Sequence, residues 1–576
     1  MLTLRLSCTL PIVLVCLTIV AACAPGGPGQ TGAAPSAPAS GAPSARTLVA
    51  AVRVEPESLA TRPPQEAGVA LYLTKGMFNA ELAVLDTHEV AQPNLAESLP
   101  QLNTDTWRVF PDGRMQTTYR LKPNLTWHDG APLTADDFVF AWQTYTLPQL
   151  GQARLQPWNA IEDVSAADDR TVVVRWSRPY PDAGSLTGRN RAFPPLPRHL
   201  LQEIAQPDQV DALVNSSYWT RDFVGLGPFK LDRWEPGAFI DASAFDGYAR
   251  GRAKIERIHM LFMSDASTVL ANLLGGQVHL SADTSLRLEE AQTLKGEWGP
   301  RGLGTVLEHP NQWRATNFQF RPEIVSPRAL LDVRVRKALA YAVDKDAIND
   351  ALYHGSGVTS DFIISPASEW GPAVVREMVK YPFDLRQSDR LMTEAGFTRG
   401  PDGTYANPSG GRFTAEIQTN GAADNSAEQS ILASGWRQAG FDVQESILPA
   451  ALAQDGQARA SFSSMFTNNT NSGEASLLAF TSRGIPTADN HWTGGNRGGW
   501  SNADYDRLAR EFDTTLDHDE RMAQIGQMAK LFTDDVASIS LFFRTQPWAF
   551  VSSLSGLEVV GPEASMAWNI NAWEFR

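Results

Sequence analysis

Cysteine is nearly absent: three in 576 residues, Cys8, Cys16 and Cys23, all at the N-terminus. A body without cysteine carries no disulfide, no cysteine zinc site and no cysteine nucleophile. A chain this long can do without disulfides, because its core is large enough. Positive charge is short as well, with 49 Lys and Arg against 64 Asp and Glu and a net charge of −15. That diffuse negative balance argues against nucleic acid, whose phosphates need clustered Lys and Arg. Histidine is sparse at nine, which gives metal or metal-chelate binding no positive support. The local catalytic patterns are missing too: no G-x-S-x-G elbow, no H-E-x-x-H, no C-x-x-C and no G-x-x-x-x-G-K-[ST] loop. Past the N-terminus there is no apolar run of about 18 residues or more, so nothing else is expected to span a bilayer.

What is present reads as an ordinary globular protein, 43% apolar and 20% charged. The length suggests three or four domain-sized lobes. Sixteen Trp offer large apolar faces with one donor each, suited to cores and to ligand clefts. Residues 1–22, MLTLRLSCTLPIVLVCLTIVAA, combine Arg5, an apolar run interrupted by Pro11, and small residues at the end. This resembles an export signal. Val20-Ala21-Ala22-Cys23 then resembles the lipobox of bacterial lipoproteins, which implies cleavage before Cys23 and a diacylglycerol on its thiol. Residues 24–46 are Pro, Gly, Ala and Ser with almost no charge; they cannot bury enough apolar surface to fold and read as a tether.

Strand-like and helical stretches alternate irregularly from Thr47 onward. Residues 47–54 are β-rich until Pro56. "MQTTYRLKPNLTW" reads as two short strands around Lys122-Pro123-Asn124, and "RTVVVRW" (170–176), "GPFKLDRW" (227–234) and "KIERIHMLFM" (254–263) as further strands. In "LLDVRVRKALAYAVDKDAINDAL", Val335, Ala338, Leu339, Ala342 and Val343 fall on one helical face. Met522, Ile525, Ala529 and Phe532 do the same further on, and "DLRQSDRLMTEAGF" predicts a helix ended by Gly396. No fixed-period repeat is present. The pattern predicts a mixed α/β protein of several lobes.

"LTWHDGAPLTADDFVFAW" (125–142) poses the sharpest local question, because His128-Asp129 invites a catalytic or metal reading. Thr134-x-x-Asp137 is a capping box, with Leu133 placed to staple onto Phe138. Phe138, Ala141, Trp142 and Tyr145 form a buried stripe, and Asp129-Gly130 makes a tight turn. His128 alone lacks an evident structural job, yet a lone His beside a turn Asp reads as a packing residue unless further ligands appear at matching spacing.

The longer stretch 111–142, "PDGRMQTTYRLKPNLTWHDGAPLTADDFVFAW", closely resembles the signature of the family 5 extracellular solute-binding proteins, the oligopeptide-, dipeptide- and nickel-binding components of ABC importers. "LVAAVRVEPESL" (48–59), "VGLGPFKLDRW" (224–234), "LDVRVRKALAYAVDKDAI" (331–348), "SDRLMTEAGF" (388–397) and "GGWSNADYDRL" (498–508) follow in the family's order. "ANLLGGQVHL" (271–280) resembles another family segment, with Gln277 and His279 in place of its acidic pair. The resemblance runs from Thr47 to the C-terminus. It implies a binding protein and not an enzyme: an α/β, two-lobed, periplasmic-binding-protein-like fold with mixed sheets, an additional third domain and a hinge of crossing strands. On that pattern lobe I takes residues 47–92, 221–316 and 541–576, a small extra domain takes 93–220, and the opposing lobe takes 317–540.

The resemblance also implies a cleft. In peptide-binding members an acidic residue of the large lobe pairs with the ligand's α-amino group. The corresponding region here, "SSMFTNNTNSGEASLLAF" (463–480), offers Asn468 or Asn469, with Glu474 a few residues on. Asn carries no charge, and charge-assisted bonds are about twice as strong as neutral ones. The ligand is then a peptide held differently, or a blocked peptide, a sugar or a metal chelate. Alternatively, these Asn residues simply turn the chain. The Gly-rich "HWTGGNRGGW" (491–500) lacks the P-loop Lys and reads as a loop, but Trp492 and Trp500 flank it as candidate aromatic walls. Gln65 completes the candidate set. The expected function is a lipid-anchored receptor that captures a solute, most naturally peptides, and hands it to a membrane permease and its ATPase, with no cofactor. The competing expectations are an exported hydrolase of peptides or glycans, and a sensory protein of the same fold.

Overall fold

Two long strands organise the fold. Gly304–Phe318 and Ser538–Val551 run antiparallel side by side, from Gly304 opposite Val551 to Asn317 opposite Ser538. The pairing shifts register between Pro310 and Gln312 and again between Arg314 and Ala315. Such bulges bend and twist a ladder locally, which lets one strand pair serve two bodies. In a computed structural model the described residues are 47–62, 72–188, 191–366, 368–421 and 423–576.

At one end, Ser538–Val551 continues through Leu280–Ser281 to Thr47–Val52, Arg257–Phe262, Phe239–Ala244 and Phe229–Glu235. At the other end, Gly304–Phe318 continues through Met465–Asn471 to Thr414–Asn420 and Asp442–Leu448. Thr47–Val52 pairs parallel to Arg257–Phe262, and Thr414–Asn420 parallel to Asp442–Leu448, so the sheet is mixed. Each half builds its own apolar core. One gathers Leu48, Ala50, Phe78, Phe229, Ile258 and Trp548. On the other side, Leu339, Ile417, Trp436 and Leu541 form one cluster, and Trp313, Phe480, Trp500 and Phe532 another. Separate cores joined by two continuous strands are the physical content of two lobes with a hinge, the architecture expected from the sequence.

A separate four-stranded antiparallel sheet has the order Trp107–Val109, Met115–Arg120, Thr171–Trp176, Ile161–Asp168. Helix Ala135–Tyr145 packs on it. Its start is the capping box: the Asp137 carboxylate accepts from the Thr134 N–H at 2.9 Å. Phe138, Ala141 and Tyr145 are all buried beneath it.

Two local readings need correction. Residues 333–353 form two helices, Val333–Tyr341 and Lys345–Tyr353, because Asp344 leaves the helix and caps the second one through the Ala347 N–H. All five stripe residues are nevertheless buried, two of them in the turn between the helices. Around Lys122-Pro123-Asn124 only the first segment is a strand. Asn124 turns with φ +58°, and beyond it there is only an isolated bridge, Thr126 to Pro132.

Candidate functional site

A cavity of about 260 Å³ lies where the two lobes face each other. One wall is the tip of the hairpin Ala83–Leu85/Ala91–Pro93, the turn Pro181–Gly184 with Arg191, and the C-terminal segment at Pro562-Glu563. The other wall is Ile364, Ser365, Ser368, Glu369 and Trp370, with Ser472, Gly473 and Glu474 and the start of helix His518–Asp534. That is many times the space one water needs, and enough for a small solute. Leu85, Trp107, Trp370 and Leu516 supply the apolar part, and five carboxylates, two guanidiniums and one imidazole supply the charge.

The charged groups are arranged in order. Glu474 opens the short helix Glu474–Ala479. Arg521 reaches it at 2.8 Å from its own lobe, and Arg191 reaches it at 3.2 Å from the opposite wall, while Arg191 keeps Asp182 at 3.0 Å. Burial pulls the Glu474 carboxyl up and the two guanidiniums pull it down. Burial is the larger effect, so the carboxyl lies above the usual carboxylate range despite its two guanidinium partners. Arg521 is fixed from behind: it donates to the Phe512 carbonyl at 2.6 Å and lies 3.8 Å over the Phe512 ring. His518 stacks on Trp370 and meets Glu369 at 2.8 Å. A second ion pair, Arg178 to Asp513 at 3.3 Å, lies outside the cavity lining, with Asp513 on the small space that adjoins it.

The hairpin tip is tied down as well. Glu89 sits at φ +66°, a conformation that costs a non-glycine residue about 1 kcal/mol or more. Its carboxylate accepts from the Glu563 N–H at 2.8 Å, and the Gly561 N–H donates to the Thr87 carbonyl at 3.2 Å. A Cβ at Gly561 would come within 2.3 Å of the Glu89 carboxyl, so a side chain there would push that carboxyl aside. Gly473, at φ +102°, makes the same room for the Glu563 carboxyl. Burial pushes the Glu89 carboxyl up to about 7, against the pull of that N–H.

The family model for bacterial extracellular solute-binding proteins, family 5, matches residues 91–486. The chain belongs to that family. The dipeptide-binding protein of Escherichia coli is similar to it, 26% identical over 329 residues that cover 53% of this chain and 56% of that protein. The chain spans about half the length of the curated relatives it matches. Among solved structures, an oligopeptide-binding protein of Thermus thermophilus complexed with a pentapeptide matches with TM-score 0.67 and 21% identity, over 92% of this chain and 97% of that one. NikA from Brucella suis in complex with Fe(III)-EDTA matches with TM-score 0.73 and 18% identity, over 92% and 100%. At these identities the structures establish a shared fold.

Against this family 5 frame, the residues singled out in the sequence separate. Glu474 lines the cavity between the lobes. Asn468 is 3% exposed and accepts from the Asn317 amide at 2.7 Å, within the sheet. Asn469 lies beside Arg314, whose guanidinium is committed to Glu428 at 2.7 Å in the same interior. Trp500 is a core residue, 2% exposed, packed on Tyr505 and Phe532 and donating to Asp535 at 2.6 Å. Trp492 is half-buried at φ +59°, with its carbonyl against Gly456. Neither tryptophan lines the cavity. Gln65 and Cys23 lie outside the described residues. His128 is structural: Nδ1 accepts from the Gly225 N–H at 3.2 Å and Nε2 meets the Gly227 carbonyl at 3.0 Å. Burial lowers its pKa to about 4. Among the described residues no group of His, Cys, Asp and Glu could hold a metal ion, and no helix is long and apolar enough to cross a membrane.

Sequence reasoning missed Arg191, Arg521, Glu89 and Glu563. The last two are 474 residues apart in the chain and meet only in the fold. The only signal that could have pointed to one of them is faint, the Gly-Pro before Glu563.

Proposed function

We propose that this chain is the solute-capturing component of an ABC importer and that its solute is a peptide. The observation that carries this reading is the half-open cavity between two lobes, with the Arg191–Glu474 ion pair across it. Contacts made only when the lobes meet are what couple ligand capture to a hinge motion. The names of similar proteins, peptide- and dipeptide-binding, support the solute class. We assign residues 47–92, 221–316 and 541–576 to one lobe, 93–220 to the extra domain and 317–540 to the opposing lobe. The cavity's guanidiniums and imidazole are already bonded to carboxylates, which favours holding a solute over reacting with it. Cys23 would carry the lipid, with residues 24–46 as tether, so that the body works on the outer side of the cell membrane and docks on a permease.

The test is closure. An equimolar mixture of di- to pentapeptides added to the body, residues 24–576, should raise the melting midpoint by the mass-action effect of a native-state ligand and reduce the radius of gyration in solution scattering. Hydrolysis of those peptides, without stabilisation, would instead make the protein a hydrolase.

A further inference from the structure

The cavity's charges do not cancel. Glu474 and Asp182 share the guanidiniums of Arg191 and Arg521, and Glu369 takes the His518 imidazole. Two carboxylates on the wall are left over. Glu89 and Glu563 meet at the hydrogen bond from the Glu563 N–H to the Glu89 carboxylate; neither makes an ion pair within 4.0 Å among the described residues, and Arg191, already held by Asp182 and Glu474, attracts both only at longer range. Placing two carboxylates together out of water is costly unless a cation joins them. The fold nevertheless provides for it, with a glycine kept clear for each carboxyl and a backbone held at positive φ at Glu89.

A second observation also points to an absent ligand. Ser472, on the facing wall of the same cavity, is 3% exposed, and its hydroxyl has no hydrogen-bond partner. Tyr180 is 1% exposed with an unpartnered hydroxyl, in the small space that adjoins the cavity beside Arg191 and Glu563. With the pair of carboxylates, these two hydroxyls give the cavity and its adjoining space polar groups free to meet a polar solute.

We infer that Glu89 and Glu563 form the subsite for a cationic nitrogen of the solute, a protonated amine held between the two carboxylates, with the Ser472 hydroxyl as an additional acceptor. This rests on the solute-receptor reading and narrows it to solutes bearing an ammonium group. It also answers the lack of charge at Asn468 and Asn469: the counter-charge comes from the opposite lobe, at a hairpin tip and the C-terminal segment. Since burial holds the Glu89 carboxyl up near 7 in the unliganded site, binding of an ammonium must displace that proton. Glu563, Glu369, Asp182, Glu474, Arg191, Arg521 and His518 are the other charged or titratable groups on the surrounding walls. Affinity for an ammonium therefore rises as pH goes from about 5 to 7, the range over which a peptide α-amine, with a pKa of about 7.7–8.0, stays largely protonated.

The probes are a set of free dipeptides and tripeptides, the same peptides N-acetylated, and a neutral disaccharide, each titrated calorimetrically into the wild type, Glu89→Gln and Glu563→Gln. A free peptide that binds the wild type should lose at least tenfold on acetylation and at least tenfold in each variant, with its rise in affinity toward pH 7 flattened in Glu89→Gln. Melting midpoints of the unliganded variants check that they fold. Retained ammonium selectivity in both folded variants would overturn the subsite. So would tight binding of the acetylated peptides or the disaccharide to wild type and variants alike, and in that case the receptor reading survives. If no probe binds and peptides are instead turned over, the receptor reading itself fails.

Discussion

Replacing Arg191 with Gln removes a contact that exists only while the lobes meet. In the present structure the guanidinium holds Glu474 at 3.2 Å across the cavity and Asp182 at 3.0 Å on its own wall. Once the lobes part, Arg191 keeps Asp182, and Glu474 keeps Arg521 at 2.8 Å. The closure-specific part is therefore one charge-assisted bond between side chains 19% and 12% exposed. Hydrogen bonds to charged groups contribute about 1.5–3 kcal/mol. Each partner here retains a second counter-charge, so about 1–2 kcal/mol is the expected share. At 1.4 kcal/mol per tenfold, that shifts the ratio of closed to open molecules by about five- to thirtyfold, and it weakens any solute that binds only the closed form by up to the same factor. Solution scattering of the unliganded body should show a larger radius of gyration for Arg191→Gln, and calorimetry a matching loss of affinity. A double-mutant cycle with Glu474→Gln should return a coupling of about 1–2 kcal/mol. An unchanged scattering profile together with a coupling near zero would refute the claim that this pair links the lobes.

Asp283 gives a pH prediction. It is 2% exposed and accepts from the Tyr72 and Leu73 N–H groups at 3.1 and 2.8 Å. Burial pushes its carboxyl up to about 7, against the pull of the Leu73 N–H. The native state then holds a proton that the unfolded chain releases near pH 4, so this group's stabilisation is full below about pH 4 and is lost as pH rises through about 7. Asp283→Asn should show a shallower decline in melting midpoint between pH 4.5 and 8; parallel slopes for the two proteins would contradict it. Trp500→Leu should cost about 2–4 kcal/mol through lost packing and the lost bond to Asp535, with solute affinity of the folded fraction unchanged; a selective loss of affinity would put Trp500 in the site after all. His128→Ala should cost about 1–3 kcal/mol by leaving the Gly225 N–H and Gly227 carbonyl unpaired, and its melting curve should not respond to chelators or added divalent metal. Cys23→Ser should abolish incorporation of labelled palmitate in cells and release the body from the membrane; membrane retention without label would remove the lipid anchor from the account.

Local chemistry was readable wherever it is local in the chain. The capping box at Thr134–Asp137, the Gly396 stop at φ +89° and the buried stripe of helix His518–Asp534 depend on neighbours three or four residues away, and the residues name them. The two-helix break at Asp344 was hidden because its stripe stays buried across the turn, so periodicity alone could not reveal it. The site was mostly illegible for a different reason. Its walls come from seven separate stretches of chain, and a carboxylate such as Glu89 looks in sequence like any polar hairpin tip. Glu474 was found through its neighbourhood in the family pattern, yet its partners Arg191 and Arg521 are 283 and 47 residues away. Tryptophan misled for a physical reason: a large amphipathic ring suits a core as well as a cleft, and Trp500 went to the core.

The account's central claim is that the cavity between the lobes holds the solute. Native mass spectrometry of gently purified residues 24–576, alongside Ser185→Trp, tests it most directly. Ser185 is half-exposed on the cavity wall, so the indole can fill the space without entering a core. The wild type should carry small peptide adducts that are released on denaturation, and Ser185→Trp should appear at its bare mass with a similar melting midpoint in the unliganded form. The same adducts retained at equal occupancy by Ser185→Trp would contradict the assignment of the cavity, and a bare wild type that cleaves added peptides would contradict the binding-protein account as a whole.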